Sequence, residues 1–349
     1  MSSTKQVDAV NNDAGEGSSS SAAQAVAVTN PENSTSAPAE RRSTLPPVLQ
    51  FPLVAILSFS ISSLGYSFIN EFTHGELATV MRTLDTPREL GIMTAWRLTE
   101  LALGWFANFD SVDLAALNLL SHSPTFYLMT AFYNVGPKTA IAGLTVDVIA
   151  SFVPFLLLRP LSAAHRSSSS TPNREIIADT PIAILSTLLA TFIYSVTLFL
   201  SYKTFLPGIL VLYFVGIPTV EPLHSATSIY VSPLATALAA ASGIAARSFI
   251  FTPLAATGRT EADEKAAQFD PVTASLGETV WWNIWGYTTQ TKVGFARTLA
   301  LMAVTGINTT LQGYLTISGV EPTGAAIYAS VWVAAAFFTG VGLGAVGEV

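Results

Sequence analysis

The chain contains no cysteine, which excludes disulfides, thiolate metal ligands, iron–sulfur clusters and a cysteine nucleophile. Charge is nearly as scarce: Asp, Glu, Lys and Arg are 11% of its 349 residues, against roughly 25% in soluble domains. The signs do not balance either. Sixteen Lys plus Arg against 23 Asp plus Glu leave a formal charge of −7, the wrong sign for neutralising phosphates, so no nucleic-acid partner is expected. Close His pairs are missing as well. His74, His122, His165 and His224 are widely spaced and outside the clearest apolar runs, which fits solvated loop histidines and predicts no metal site. No P-loop, Gly-x-Ser-x-Gly elbow or Gly-x-Gly-x-x-Gly fingerprint occurs, so neither a cofactor nor an enzymatic activity is expected.

What is abundant is apolar surface. Half of the residues are hydrophobic and the mean hydropathy is +0.49, the balance of an integral membrane protein whose first partner is the lipid bilayer. Residues 1–46 are the exception. They hold nine Ser, four Thr and no aromatic residue, and cannot bury enough apolar surface to offset the entropy of ordering, so a disordered tail is expected. The tail lacks the pattern of a cleavable signal or a mitochondrial presequence, which points to an endomembrane or the plasma membrane. Asn33 begins a formal glycosylation sequon, relevant only if the tail is lumenal.

Residues 47–349 are expected to form an all-α, multi-pass transmembrane domain. A helix crosses the hydrocarbon with about 20 apolar residues. Uncharged runs at 48–69, 181–202, 298–317 and 323–346 meet that length, and 139–158 and 232–252 do so with one charge each, Asp147 and Arg247. A seventh run, 90–109, carries both Arg97 and Glu100. Thr94, Arg97, Glu100, Gly104 and Asn108 follow at steps of three or four and form one polar stripe, which lets this helix cross with the stripe facing the bundle; an interfacial helix is the alternative. The expectation is therefore about seven spans, within six to eight. Residues 204–220, broken by Pro207, Gly208 and Pro218, suit a half-helix as well as a crossing, and 124–135 reads as an interfacial helix.

Short-loop Lys and Arg favour the cytoplasmic side. With seven spans the tail lies outside; Arg82 and Arg88 lie inside with the loops 159–180 and 253–297 and the C-terminus, whereas Asp110 and Asp113 lie outside. With six spans the tail moves inside.

Asp147 and Arg247 stand out because an ionisable group in hydrocarbon must pair, protonate or line water. They are candidates to meet beside a polar path that includes Arg97 and Glu100; a dry structural pair, or an Arg247 that snorkels to the interface, is the plainer alternative. Trp281, Trp282, Trp285 and Tyr287, followed by Lys292 and Arg297, suit a helix resting at headgroup depth, either as an aromatic belt or as a platform for anionic lipids. Ser167, Ser168, Ser169 and Ser170 lie between Arg166 and Arg174, where phosphorylation would cancel positive charge. The small-residue steps 239–243 and 340–344 permit close helix contacts within or between chains, leaving homo-oligomerisation open.

The stretch Trp282-Asn283-Ile284-Trp285-Gly286-Tyr287 with Thr291-Lys292 and Arg297-Thr298, together with 97–106 and Arg159-Pro160-Leu161, resembles uncharacterised multi-pass membrane proteins of filamentous fungi. That resemblance implies a fungal membrane and no activity. Two functions stay open: a small-solute or ion transporter or channel-like protein built on the intramembrane charges, and a non-catalytic scaffold or assembly factor with a lipid- or partner-binding cytoplasmic surface.

Overall fold

A computed structural model describes residues 46–166, 171–218, 233–270 and 272–347. Asn33, Ser167, Ser168, Ser169, Ser170 and all but the last residue of the expected tail lie outside the described residues. The architecture is all-helical, and among the described residues five helical segments are long and apolar enough to cross a membrane. In chain order the helices are α1 (Pro47–Phe72), α2 (Glu76–Val80), α3 (Pro87–Phe106), α4 (Ser111–Phe132), α5 (Pro137–Leu158), α6 (Arg174–Ala178), α7 (Thr180–Lys203) and α8 (Leu206–Tyr213). Then come α9 (Pro233–Ala246), a π-helical turn (Arg247–Phe251), α10 (Thr252–Ala256), α11 (Glu261–Ala267), α12 (Leu276–Trp285), α13 (Thr289–Thr316) and α14 (Pro322–Gly347).

Local chemistry fixes where the helices start. Pro87 opens α3 at a position where the missing N–H costs nothing, while the Thr86 hydroxyl accepts from Glu89 N. Asp110 and Asp113 cap α4 reciprocally: the Asp110 carboxylate accepts from Asp113 N at 2.8 Å and Asp113 accepts from Asp110 N at 3.3 Å. Asp179 caps α7, whose first turn holds Pro181.

The long helices run antiparallel between two ends. At the first, Phe51 of α1 meets Trp105 and Phe106 of α3, Arg297 of α13 pairs with Asp113 of α4, and Gln290 donates to Gly347 O of α14. At the other, Glu76 accepts from Gly136 N and the Thr139 hydroxyl before α5, and isolated bridges join Met81 to Ile317 and Phe214 to Val320. Pro47 and Gly347 therefore lie at the same end. Arg159, Arg166, Arg174, Arg247, Arg259, Lys265, Lys292 and Arg297 belong to this basic end, against Arg82, Arg88, Lys138 and Lys203 at the opposite one.

The difference from the seven-helix expectation is α4. The sequence pattern marks only 124–135 as a short interfacial piece; the structure has one continuous helix from Ser111 to Phe132, passing through Pro124 and buried along nearly its whole length. One extra full-length helix reverses everything before it. That is why Asp110 and Asp113 share an end with Arg297 rather than lying opposite it, and why Arg82, which donates to Leu315 O, lies away from the basic loops. Residues 206–213 form the short helix that a proline-broken run favours, too short to cross.

Around α4 the other helices divide by surface. α1 and α7 expose Ile56, Leu64 and Phe68, and Leu185, Leu188 and Phe192, the apolar face expected against lipid. Small residues set the closest approaches. A Cβ on Gly243 would fall 2.7 Å from Thr187 O of α7, and one on Gly340 would fall 2.2 Å from the Thr298 side chain of α13, so these two glycines serve contacts within the chain, whereas Gly344 faces open space.

Candidate functional site

α1, α3, α4, α5 and α13 each bring polar residues to one place about midway along the bundle. α3 contributes Trp96, Arg97 and Glu100; the inward stripe holds for Arg97, Glu100 and Gly104, whereas Thr94 and Asn108 are exposed. α4 contributes Asn118, Ser121, His122 and Thr125 at the same three-to-four spacing, so the polar rows of two helices face each other. α5 adds Asp147, α1 adds Ser58 and Tyr66, and α13 adds Asn308 and Gln312.

The contacts form three hydrogen-bonded groups, around Arg97, Asp147 and Asn308. Arg97 donates to Asn118 Oδ1 at 3.1 Å, Glu100 Oε2 at 3.3 Å and Ser58 Oγ at 3.4 Å. The Tyr66 hydroxyl donates to Asp147 Oδ1 at 2.9 Å. Asn308 Oδ1 accepts from Trp96 Nε1 at 3.0 Å and Gln312 Nε2 at 3.1 Å, while its amide donates to Ser121 O. These groups surround a cavity of about 210 Å³ whose walls include Arg97, Glu100, His122 and Asp147 and which extends to Met81 and Thr316 near the opposite end. Glu100 and Asp147 are only 4% and 8% exposed. Two buried wall atoms, Glu100 Oε1 and Thr125 Oγ1, have no hydrogen-bond partner among the described residues. Eleven buried side-chain atoms lack a partner among the described residues, and Glu100 Oε1 is the one carboxylate oxygen among them, which marks this cavity as a place for something else to complete.

The sequence candidates are sorted differently from expectation. Asp147, Arg97 and Glu100 share this site. Arg247 does not: it lies in the π-helical turn at the basic end and donates to Ile177 O at 3.1 Å. Asp147 therefore has Tyr66 as its hydrogen-bond donor, with Arg97 as the cation of the same cavity. His122 is no loop histidine; it is 3% exposed in the middle of α4.

A second ionic cluster sits at the basic end. Arg297 grips both oxygens of Asp113, at 2.6 and 3.0 Å, and also donates to Phe249 O. Arg297 is thus a buried structural cation rather than a lipid-facing one. His165 Nδ1 lies 2.8 Å from Asp110 Oδ2, which also accepts from Ser162 N. Burial by itself pushes the Asp110 carboxyl up, but the His165 bond, the Asp113 N–H, the His165 charge and the Ser162 N–H outweigh it and hold the group far below the usual carboxylate range. For His165, burial works downward, and the bond to Asp110 with the charges of Asp110 and Asp113 raises the imidazole pKa overall. Asp110, Asp113 and His165 offer ligand atoms within 4.8 Å of one another, yet Arg297 and the helix cap already engage the carboxylates. Arg159 completes the cluster by donating to the carbonyls of Gly104, Trp105 and Phe109.

The aromatic segment lies beside this end. Trp281, Trp282, Trp285 and Tyr287 are all exposed; Trp282 stacks on Phe269 and donates to Ala266 O, and Trp285 meets Phe295 edge-on. Lys292 is partly exposed on the first turn of α13. No protein-family model, curated protein or solved structure matches the chain.

Proposed function

We propose that the chain is a multi-pass integral membrane protein that carries or admits a small solute or ion through the cavity around Arg97, Glu100 and Asp147. In this reading α1, α3, α4, α5, α7, α13, α14 and the continuous segment of α9, the π-helical turn and α10 all cross the bilayer. The excess of Lys and Arg at the basic end makes that end cytoplasmic, together with Pro47 and Gly347. Asn33 then lies on the cytoplasmic side and escapes glycosylation. The observation that carries the reading is the orphaned Glu100 Oε1 on a mid-depth cavity. A polar group in the membrane interior is costly, and an unsatisfied one is retained where water or a ligand reaches it.

The scaffold reading draws on a different observation, the exposed Trp281 and Tyr287 at the basic end, which would bind lipid or a partner with no need of the cavity. One experiment separates the two. The cysteine-free chain allows single cysteines at Ser62 and Thr316 on the cavity wall and at Leu64 on the outer face of α1. In sealed vesicles, an impermeant thiol reagent added from the non-cytoplasmic side should label Ser62→Cys and Thr316→Cys and leave Leu64→Cys unmodified. Cavity positions as silent as Leu64→Cys would overturn the pathway and favour the scaffold.

A further inference from the structure

We infer that the ligand of the mid-bundle cavity is a small organic monocation, an alkylammonium by chemical class; the inference rests on the reading of that cavity as a site reached from water. The charge count points this way first. The walls carry two carboxylates, Glu100 and Asp147, and one guanidinium, Arg97. With all three ionised the site holds one negative charge in excess, and in surroundings this poor in water such a charge requires a cation or a proton.

The hydrogen-bonding polarity of the walls agrees. Glu100 Oε1 and Thr125 Oγ1 have no partner among the described residues. His122 Nδ1 lies 3.1 Å from both Asn118 O and Ser121 Oγ, so this nitrogen is engaged on the α4 side. Several wall donors are engaged, Trp96 Nε1 and one Gln312 N–H by Asn308, the Tyr66 hydroxyl by Asp147, Arg97 by Asn118 and Glu100, while the Thr125 hydroxyl both donates and accepts. The open group that carries charge is the Glu100 carboxylate oxygen, an acceptor that an ammonium group with its three N–H donors satisfies.

The rest of the wall selects against a bare metal ion. Phe59, Phe126, Met93 and Met129 line the same space. Aromatic faces attract a cation through their quadrupole and thioethers accommodate alkyl groups, whereas a hard inorganic cation such as calcium asks for six or more oxygens. A short alkyl chain carrying one positive charge fits both halves of the lining.

The test uses the purified full chain in detergent. Butylammonium is titrated while the thermal midpoint and tryptophan fluorescence are followed, with butan-1-ol and butanoate as neutral and anionic controls of the same chain length. Butylammonium alone should give saturable stabilisation. Glu100→Gln should weaken its apparent affinity by at least about tenfold, equivalent to ~1.4 kcal/mol. Thr125→Val, which keeps the charges and removes one acceptor, should weaken it less; Thr125→Val and Asp147→Asn carry the test if Glu100→Gln does not fold. Equal responses to butan-1-ol, saturation by butanoate or by sodium alone, or unchanged affinity in Glu100→Gln would overturn the ligand class. Thiol labelling of Ser62→Cys in the same preparation distinguishes the two levels. A labelled cavity that ignores butylammonium overturns the cation and leaves the pathway standing, whereas an unlabelled cavity overturns the pathway itself.

Discussion

The bundle holds two buried ionic clusters, and they are built in opposite ways. In the Asp110–Asp113 cluster at the basic end the charged groups are engaged, both Asp113 oxygens by Arg297, Asp110 by His165 and two backbone N–H groups, Arg159 by three carbonyls, whereas Arg247 Nε and Ser111 Oγ at the same end have no partner among the described residues. At mid-depth, Arg97 makes longer contacts, between 3.1 and 3.4 Å, and the cavity beside it leaves Glu100 Oε1 and Thr125 Oγ1 without partners. The contrast separates a saturated network, which locks helix ends in register, from an unsaturated one, which has capacity left for a ligand. Charge inside a membrane protein is therefore informative only together with its satisfaction.

The largest effect expected is at the saturated cluster. Arg297→Ala leaves Asp113 buried and uncompensated, and should destabilise the protein by about 3–5 kcal/mol, read as a fall in the thermal midpoint or in the yield of monodisperse protein. Replacing both partners, Arg297→Met with Asp113→Leu, should recover much of that loss, because neither charge then remains buried alone. His165→Ala should cost less, about 1–3 kcal/mol, by removing one of the bonds to Asp110.

The same pair makes a pH prediction whose two sides have different causes. The Asp110 pKa is depressed on folding, so its contribution is present above the unfolded value of about 4 and fades as pH falls below that. The His165 pKa is raised, so its contribution is full below the unfolded value of about 6.5 and is lost as pH rises through the folded value. Thermal stability should therefore decline on the alkaline side in the wild type, and His165→Gln should flatten that limb and also weaken the acid limb, because His165 supplies part of what depresses Asp110. An unchanged alkaline limb would remove His165 from the account.

Smaller effects belong to the unsaturated cluster and the surface. Glu100→Gln should change stability by no more than about 1 kcal/mol, because the carboxylate is incompletely paired in the folded protein. Loss of folding comparable to Arg297→Ala would mean that Glu100 is as structural as Asp113. Trp281→Ala, on an exposed face, should stay within about 0.5 kcal/mol by thermal unfolding.

The periphery of the fold was legible and its centre was not, for one physical reason. α1, α5, α7, α14 and the segment from α9 to α10 carry apolar runs with at most one charge in the sequence reading, the composition of a helix long and apolar enough to cross a membrane. α4 is surrounded by protein, and its environment tolerates Asn118, Ser121, His122 and Pro124, which dilute the hydropathy below that of a span. A signal was present all the same. Asn118, Ser121, His122 and Thr125 repeat at three and four, the spacing that identified the inward stripe of α3. Within the site, Asp147, Arg97 and Glu100 could be singled out as costly charges, and the three-residue spacing of Arg97 and Glu100 suits the contact they make, but nothing in the sequence pointed to Tyr66 as the partner of Asp147. Arg247 lay in an apolar run like Asp147, and only the direction of the helices separates the two by depth.

The most direct test is an experimental structure of the unmodified chain in a lipid environment, at a resolution that shows ordered solvent. The account predicts density, from water or a bound cation, within about 3 Å of Glu100 Oε1 and in reach of Thr125 Oγ1, hydrogen-bond distance for both. A Glu100 carboxylate with both oxygens bonded to protein donors, in a closed space without density, would contradict it.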